Sequence, residues 1–400
     1  MSGTNASAGR ILFVDHAGVL GGAELSLLDL ASSFGADADV VLLADGPFRT
    51  ALEGKGVSVD VEPLGALGAV RKDAGLPSVG ALMDAAGIAR QVARRARAHE
   101  LIYANTQKAF VVSAAAGVLA RRPVVWHLRD ILAEPHFSRA NITAAAQLAN
   151  LRAAAVIANS HATAEAFVAA GGRRALVQVV HNGIDAAPFD ALASDAGRTT
   201  RHALGVPADA FVVALFGRFH PWKGQAVLLQ ALAELPGVHA LVVGTALFGE
   251  TAFEAAQHEQ ARALGIADRV HFLGFRDDVP ALMRAADVIV HASVLPEPFG
   301  RVVVEGMLAG RPVVATRAGG VPEIITEGET GRMVPPADAP ALAAAIRALR
   351  DAPASTAAMA ARGAARARAQ FSVAAMCSGV ARVLEELRLS APTRIRRSRR

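Results

Sequence analysis

The sequence predicts an α/β protein built from two doubly wound, Rossmann-like parallel-sheet domains. Three observations carry this expectation. At 400 residues the chain is longer than one hydrophobic core usually serves. Short β-branched runs recur along it, nearly continuous rather than alternating, as in strands buried on both faces. Ala-rich segments of helical length separate most of them, which is the βαβ pattern. Hydrophobic residues make up 52% and charged residues 19%, which excludes a disordered chain. There is no window of about 18 strongly apolar residues, so no membrane span is expected.

In the first half the runs are Ile11–Asp15, Val40–Ala44, Val57–Val61, Leu101–Asn105, Val124–His127, Val156–Asn159 and Val177–His181. The pattern breaks over Asp185–Pro207, a Pro-, Gly-, Ser- and Asp-rich stretch that reads as an interdomain linker. It restarts with Phe211–Phe216, Ala240–Val243, Val270–Leu273, Val288–His291, Pro312–Ala315 and Arg332–Val334, a second parallel sheet. After Pro340 the sequence is helical. In its last helix Met376, Val380, Val383, Leu384 and Leu387 form one apolar stripe, expected to cross back to the first domain. The expected division is therefore a first domain over 1–187, completed by a helix at about 372–389, a second domain over 188–371, and a tail over 390–400.

Lys and Arg number 41 against 36 Asp and Glu, a formal charge of +5. Arg394, Arg396, Arg397, Arg399 and Arg400 supply all of that excess. The basicity therefore describes the tail, and the rest of the chain is formally neutral. Nucleic-acid binding is not expected, because no aromatic-interleaved basic face accompanies the tail. The tail reads either as a solvated end or as a segment that touches the anionic face of a membrane, with Leu64–Val70 and Arg71-Lys72 contributing. The single cysteine, Cys377, excludes an intrachain disulfide and a Cys-based zinc site. Met1–Gly9 has no basic segment leading into an apolar one, so a reducing cytoplasmic location is the expectation.

In the second half, Gly217-Arg218-Phe219-His220-Pro221-Trp222-Lys223-Gly224 follows a strand and opens a helix. Strand carboxyl ends facing helix N-termini are where such sheets bind ligands, and the helix amides favour an anion. Gly217 permits close backbone approach, and Arg218 and Lys223 add two cations; alone, these residues would also fit a solvated surface turn. Glu297-Pro298-Phe299-Gly300 follows another strand, and Glu305 comes eight positions after Glu297. Carboxylates beside phosphate suit hydroxyls, Glu305 those of a ribose and Glu297 those of a sugar, against the plainer reading of helix-start acids. Gly244-Thr245, Gly274-Phe275-Arg276 and Gly319-Gly320 end further strands along the same edge, as in a nucleotide cleft.

The spacing of Gly217-Arg218, Lys223-Gly224, the Glu297 and Glu305 pair and Gly319-Gly320 resembles the donor domain of retaining GT-B glycosyltransferases of family 4. The resemblance runs from Ile11 to about Leu387 and is stronger after Ala210. It implies the GT-B fold, two such domains facing a cleft. It implies that Arg218 and Lys223 hold a donor diphosphate, that Glu305 binds the ribose, and that Glu297 and amides near Phe299 and Gly300 meet the transferred sugar. Gly217, Gly244, Phe275, Gly319 and Gly320 complete the expected donor side.

In the first half, Gly21-Gly22-Ala23-Glu24 lies between the first strand and helix and resembles the family's acceptor-side glycine loop. Tight helix packing is the alternative for the same glycines. It lacks G-x-G-x-x-G spacing, which removes the main support for a dehydrogenase. His127-Leu128-Arg129-Asp130 ends another strand. The resemblance gives His127 a contact with the donor sugar; Asp130 is taken for the acceptor side, and an ion pair is favoured for Arg129. His181-Asn182-Gly183-Ile184-Asp185 resembles the family's domain junction and reads as a hinge. Asp37-Ala38-Asp39 spells the D-x-D of metal-dependent transferases of another fold, but precedes a strand, on the side away from ligands.

The expected activity is transfer of a sugar from a nucleoside-diphosphate sugar to a hydroxyl of a saccharide or lipid-linked acceptor, in cell-surface polysaccharide or glycolipid assembly. No cofactor or metal is expected, since Arg218, Lys223 and helix amides can stabilise the leaving diphosphate. The resemblance implies retention by front-face attack, with the leaving phosphate assisting deprotonation of the acceptor. The alternatives are a nucleotide-sugar epimerase of the same architecture and a non-catalytic sugar-nucleotide-binding protein.

Overall fold

The computed structural model describes residues 9–65, 79–246 and 250–390. The basic tail and the Arg71-Lys72 pair lie outside these residues. The chain divides into two compact units. The first runs to Gly183 and takes in the chain again from Val373; the second is Ile184–Ser372.

The first unit contains strands β1 (Ile11–Asp15), β2 (Ala38–Leu42), β3 (Ser58–Val61), β4 (Leu101–Ala104), β5 (Val124–Leu128), β6 (Ala153–Ala158) and β7 (Val177–Val179). They form one parallel sheet in the order β3-β2-β1-β4-β5-β6-β7. Both faces are covered. Trp126, Phe110, Val92 and Ile102 belong to the core on one face. Phe13, Tyr103, Leu27 and Phe48 belong to the core on the other. The final helix, Val373–Ser390, buries Met376, Val380, Val383 and Leu384 in that second core, with Leu387 packed at its margin.

The second unit repeats the plan with β8 (Phe211–Phe216), β9 (Val238–Val243), β10 (Val270–Gly274), β11 (Val288–His291), β12 (Val313–Thr316) and β13 (Arg332–Val334). Their order is β10-β9-β8-β11-β12-β13, again all parallel. In each sheet the chain runs outward from a central strand, then returns to its other side. The switch points fall between β1 and β4, and between β8 and β11, and ligands of such sheets bind outside the strand carboxyl ends there.

The expected linker over Asp185–Pro207 is instead part of the second unit and holds two short helices, Ala187–Asp190 and Ala196–Ala203. The division falls at Gly183, ahead of the expected boundary at 187. Gly197 lets the second of these helices approach closely, since a Cβ there would lie 2.3 Å from the Arg284 carbonyl oxygen. Arg201 ties it down through the Ala285 carbonyl at 2.6 Å and Asp287 at 2.8 Å. Among the described residues no helix is long and apolar enough to cross a membrane.

Candidate active site

In the second unit the loops after β8 and β11 flank the switch point and are stitched together. The Val294 amide donates to the Trp222 carbonyl at 2.8 Å. Gly224 has φ +77°, and a Cβ there would lie 1.9 Å from the Ala292 carbonyl oxygen. Only glycine fits such an approach. The result is that Lys223 Nζ lies 2.5 Å from Glu297 Oε1. Ser293 Oγ donates to the same oxygen at 2.6 Å, and His291 Nε2 lies 3.4 Å from it. Burial opposes charge on Glu297, yet Lys223 and His291 outweigh it and hold the carboxyl well below the usual range.

Gly319 and Gly320 close on this loop from its other side. The Gly320 amide donates to the Glu297 carbonyl at 2.9 Å. A Cβ at Gly319, whose φ is +61°, would lie 2.0 Å from that carbonyl oxygen, and one at Gly320 would lie 2.7 Å from the Pro298 oxygen. Gly244 plays the same part for Gly217, whose carbonyl oxygen would be 2.1 Å from an added Cβ. These strand-end glycines thus bring the backbones of the site together.

Arg218 is half-buried, with its guanidinium 5.9 Å from the Trp222 ring; Lys223 Nζ is 5.0 Å from the same ring. Glu305 lies in the helix Arg301–Leu308, 3.5 Å from Arg301 one turn earlier. Gly300, φ +105°, is the residue before that helix. The Phe299 ring is 2% exposed and packs edge-on against Phe371 in the core, which leaves its backbone, the part expected to meet a ligand, on the loop. Phe275 is 79% exposed.

In the first unit the switch point carries a buried polar chain. Arg129 donates to Asn105 Oδ1 at 2.9 and 3.0 Å and to Asn182 Oδ1 at 2.5 Å. Asn105 Nδ2 donates to Asp15 Oδ2 at 2.6 Å and to the Ala23 carbonyl at 3.2 Å. His16 Nδ1 lies 2.9 Å from Thr106 Oγ1 and 3.5 Å from Asp15 Oδ1. Arg129 thus places its guanidinium on two amide oxygens. Glu24 accepts from the Gly21 amide at 3.1 Å at the start of the helix Gly22–Phe34. Burial, reinforced by Asp15, pushes its carboxyl up to about 7. Asp130 follows β5, half-buried.

His127 lies deeper than the end of its strand. Strand β5 continues through Leu128, so His127 is a core residue, 0% exposed, and not a loop residue. Its Nδ1 lies 2.5 Å from the Tyr103 hydroxyl. Burial, with Arg129 nearby, pushes the imidazole well below its ordinary range, so the ring is neutral. Its Nε2 is buried without a hydrogen-bond partner among the described residues. Asp39 of the D-x-D triplet is held by Arg10 at 2.5 Å and His99 at 2.6 Å. The sequence reading missed His291, Ser293, Asp15 and Asn105. Their signal was position: polar residues at strand ends on either side of the two switch points.

Comparison with known proteins decides the family. HepE of Anabaena, solved in complexes with UDP, with UDP and glucose, and with UDP-glucose, is 43% identical, with a TM-score of 0.85 over 94% of this chain and 99–100% of that one. The chain belongs to the GT-B glycosyltransferases of the family 4, group 1 type. Residues 198–366 match the glycosyl transferases group 1 model, and residues 21–183 match a glycosyl transferase 4-like domain. The D-inositol 3-phosphate glycosyltransferase of Mycobacterium tuberculosis is 39% identical over 166 residues, 41% of this chain and 34% of that protein. The match thus spans about a third of that relative. A glycosyltransferase from Rickettsia africae, 18% identical with a TM-score of 0.81 over 96% of this chain and 99% of that one, shares the fold.

Two outcomes follow from this geometry. Gly224→Ala must strain its backbone and push on the Ala292 carbonyl, so it should destabilise the second unit by about 1–3 kcal/mol or more. Thermal unfolding checks this, and an unchanged Tm would contradict the packing. For Glu24, a folded value near 7 against an ordinary 4.5 means the folded state holds the extra proton between those limits. Its stabilising contribution is complete below about 4.5 and is lost as pH rises through about 7, by up to roughly 3 kcal/mol. Glu24→Gln should therefore gain stability relative to the parent between pH 5 and pH 8, measured by melting curves across that range.

Proposed function

We propose that the protein transfers a hexosyl group from a UDP-sugar, with retention, to a hydroxyl of a saccharide or lipid-linked acceptor in polysaccharide or glycolipid assembly. The observation that carries this reading is the ion pair of half-buried Lys223 with buried Glu297, beside Arg218 at the β8/β11 switch point. Its support is the full-length likeness to HepE, whose structures hold UDP and UDP-glucose. Arg218 and Lys223, with the amides opening the helices Gln225–Ala233 and Arg301–Leu308, are the groups that stabilise charge on the departing diphosphate. Glu305 takes the ribose hydroxyls and Glu297 those of the transferred sugar. This reading assigns the counter-charge to protein cations, so turnover is expected to persist in EDTA.

The test combines binding and turnover. UDP should raise the Tm more than GDP or ADP at equal concentration. Lys223→Ala should lower kcat for UDP-glucose consumption by roughly 10²–10³. Wild-type turnover in that variant would sink the assignment. For a lipid-linked acceptor, we read the arginine-rich segment 391–400 as a membrane contact, with about 1 kcal/mol from each basic residue near an anionic surface. Deleting it should sharply weaken sedimentation with phosphatidylserine vesicles, and unchanged binding would remove that role.

A further inference from the structure

The donor reading uses Lys223 and Glu297 and leaves unexplained the histidine beneath them. His291 is the last residue of β11 and is 7% exposed. Its Nε2 lies 3.4 Å from both Glu297 Oε1 and Ser293 Oγ. Two hydrogen bonds thus converge on one carboxylate oxygen, from Lys223 Nζ at 2.5 Å and Ser293 Oγ at 2.6 Å, while the His291 ring beside them holds the Ser293 oxygen. A carboxylate oxygen has about two lone-pair sites, so Oε1 is saturated. Among the described residues no donor meets Oε2.

The hydrogen-bond pattern assigns the imidazole proton to Nε2. Ser293 spends its hydroxyl proton on Glu297, so its oxygen can only accept from the ring. His291 Nδ1 is buried without a partner, which suits a bare lone pair better than an N–H. Lys223 is the donor that an arriving diphosphate competes for, because it carries a full positive charge on the longest side chain of the group. His291 sits on a central strand and Ser293 two residues beyond it, so both stay with Glu297 when Lys223 is drawn away.

We propose that His291 is a positioning residue for recognition of the transferred sugar: with Ser293 it pins Glu297 Oε1, so that Oε2 remains aimed at sugar hydroxyls. This rests on the UDP-sugar reading above. It separates the two halves of the donor, because His291 acts on the sugar through Glu297 and leaves the diphosphate to Arg218 and Lys223.

The measurement is the ratio of Kd for UDP-glucose to Kd for UDP, by calorimetry on the full chain. His291→Ala should raise that ratio about tenfold while Kd for UDP stays within about twofold, the size expected for one lost hydrogen bond to a charged group. His291→Gln places an amide donor near the Nε2 position and should restore most of the ratio. Glu297→Gln should raise the ratio alone, and adding His291→Ala to it should change little further. An unchanged ratio in His291→Ala, or equal weakening of UDP and UDP-glucose, overturns the proposal. If His291→Ala does not fold, His291→Asn, too short to reach Oε1, takes its place with the same expected ratio. Failure of the wild type to bind UDP at all removes the UDP-sugar reading first, and this inference with it.

Discussion

A carboxylate withdrawn from water is the constraint on which the second unit depends. Ionised, it is tolerable only with donors in good geometry, since removing one partner leaves a buried charge uncompensated. Glu297 meets this with two hydrogen bonds on one oxygen and the His291 ring beside it. Those donors come from two loops, so the loops must be fixed to one another within tenths of an ångström. That demand explains the glycines. Gly224 and Gly319 carry positive φ and face carbonyl oxygens where any Cβ would overlap. The motif glycines are thus a consequence of the carboxylate's burial, acting through backbone approach.

The first unit solves a related problem with different chemistry. Asp15 and Arg129 are both buried, and neither touches the other in the chain of bonds described above. Asn105 stands between them, its oxygen turned to the cation and its nitrogen to the anion. An amide oriented by two charges relays their attraction while satisfying four polar groups, and low dielectric strengthens each bond. Glu24 is the member this arrangement does not neutralise, and its carboxyl answers by holding a proton toward neutral pH. A buried acid is kept protonated toward neutral pH by its environment alone.

Much of this was legible in the sequence. All thirteen apolar runs are strands, because parallel strands under helices leave a period that needs no tertiary information. The motif cations and acids do lie at a switch point. What escaped reading was set by one-residue registers. Strand β5 runs to Leu128, which turns His127 into the core against Tyr103. The segment after Asp185 is polar and Gly-bearing, and its helices are fixed by Arg201 and by contact with the Arg284 carbonyl, which no local pattern encodes. His291 and Ser293 carry no motif of their own; their meaning comes from the carboxylate they hold.

The net charge of +5 resides in the last ten residues, while the cations at the site are matched where they stand. That matching has a chemical consequence. Lys223 is ordered by Glu297 and Trp222 without help from a ligand, so the entropy of fixing a long flexible side chain is met in folding. On the proposed donor reading, an incoming diphosphate then finds a cation already in place, but must compete with a carboxylate for it. Ground-state affinity is lowered by that competition, whereas a leaving group gaining negative charge draws the same cation more strongly. An interaction that strengthens as the bond breaks is the kind that accelerates the chemical step rather than merely holding the substrate. On this argument the Lys223 and Glu297 ion pair, which looks like a structural feature of a neutral enzyme, biases the site toward the transition state.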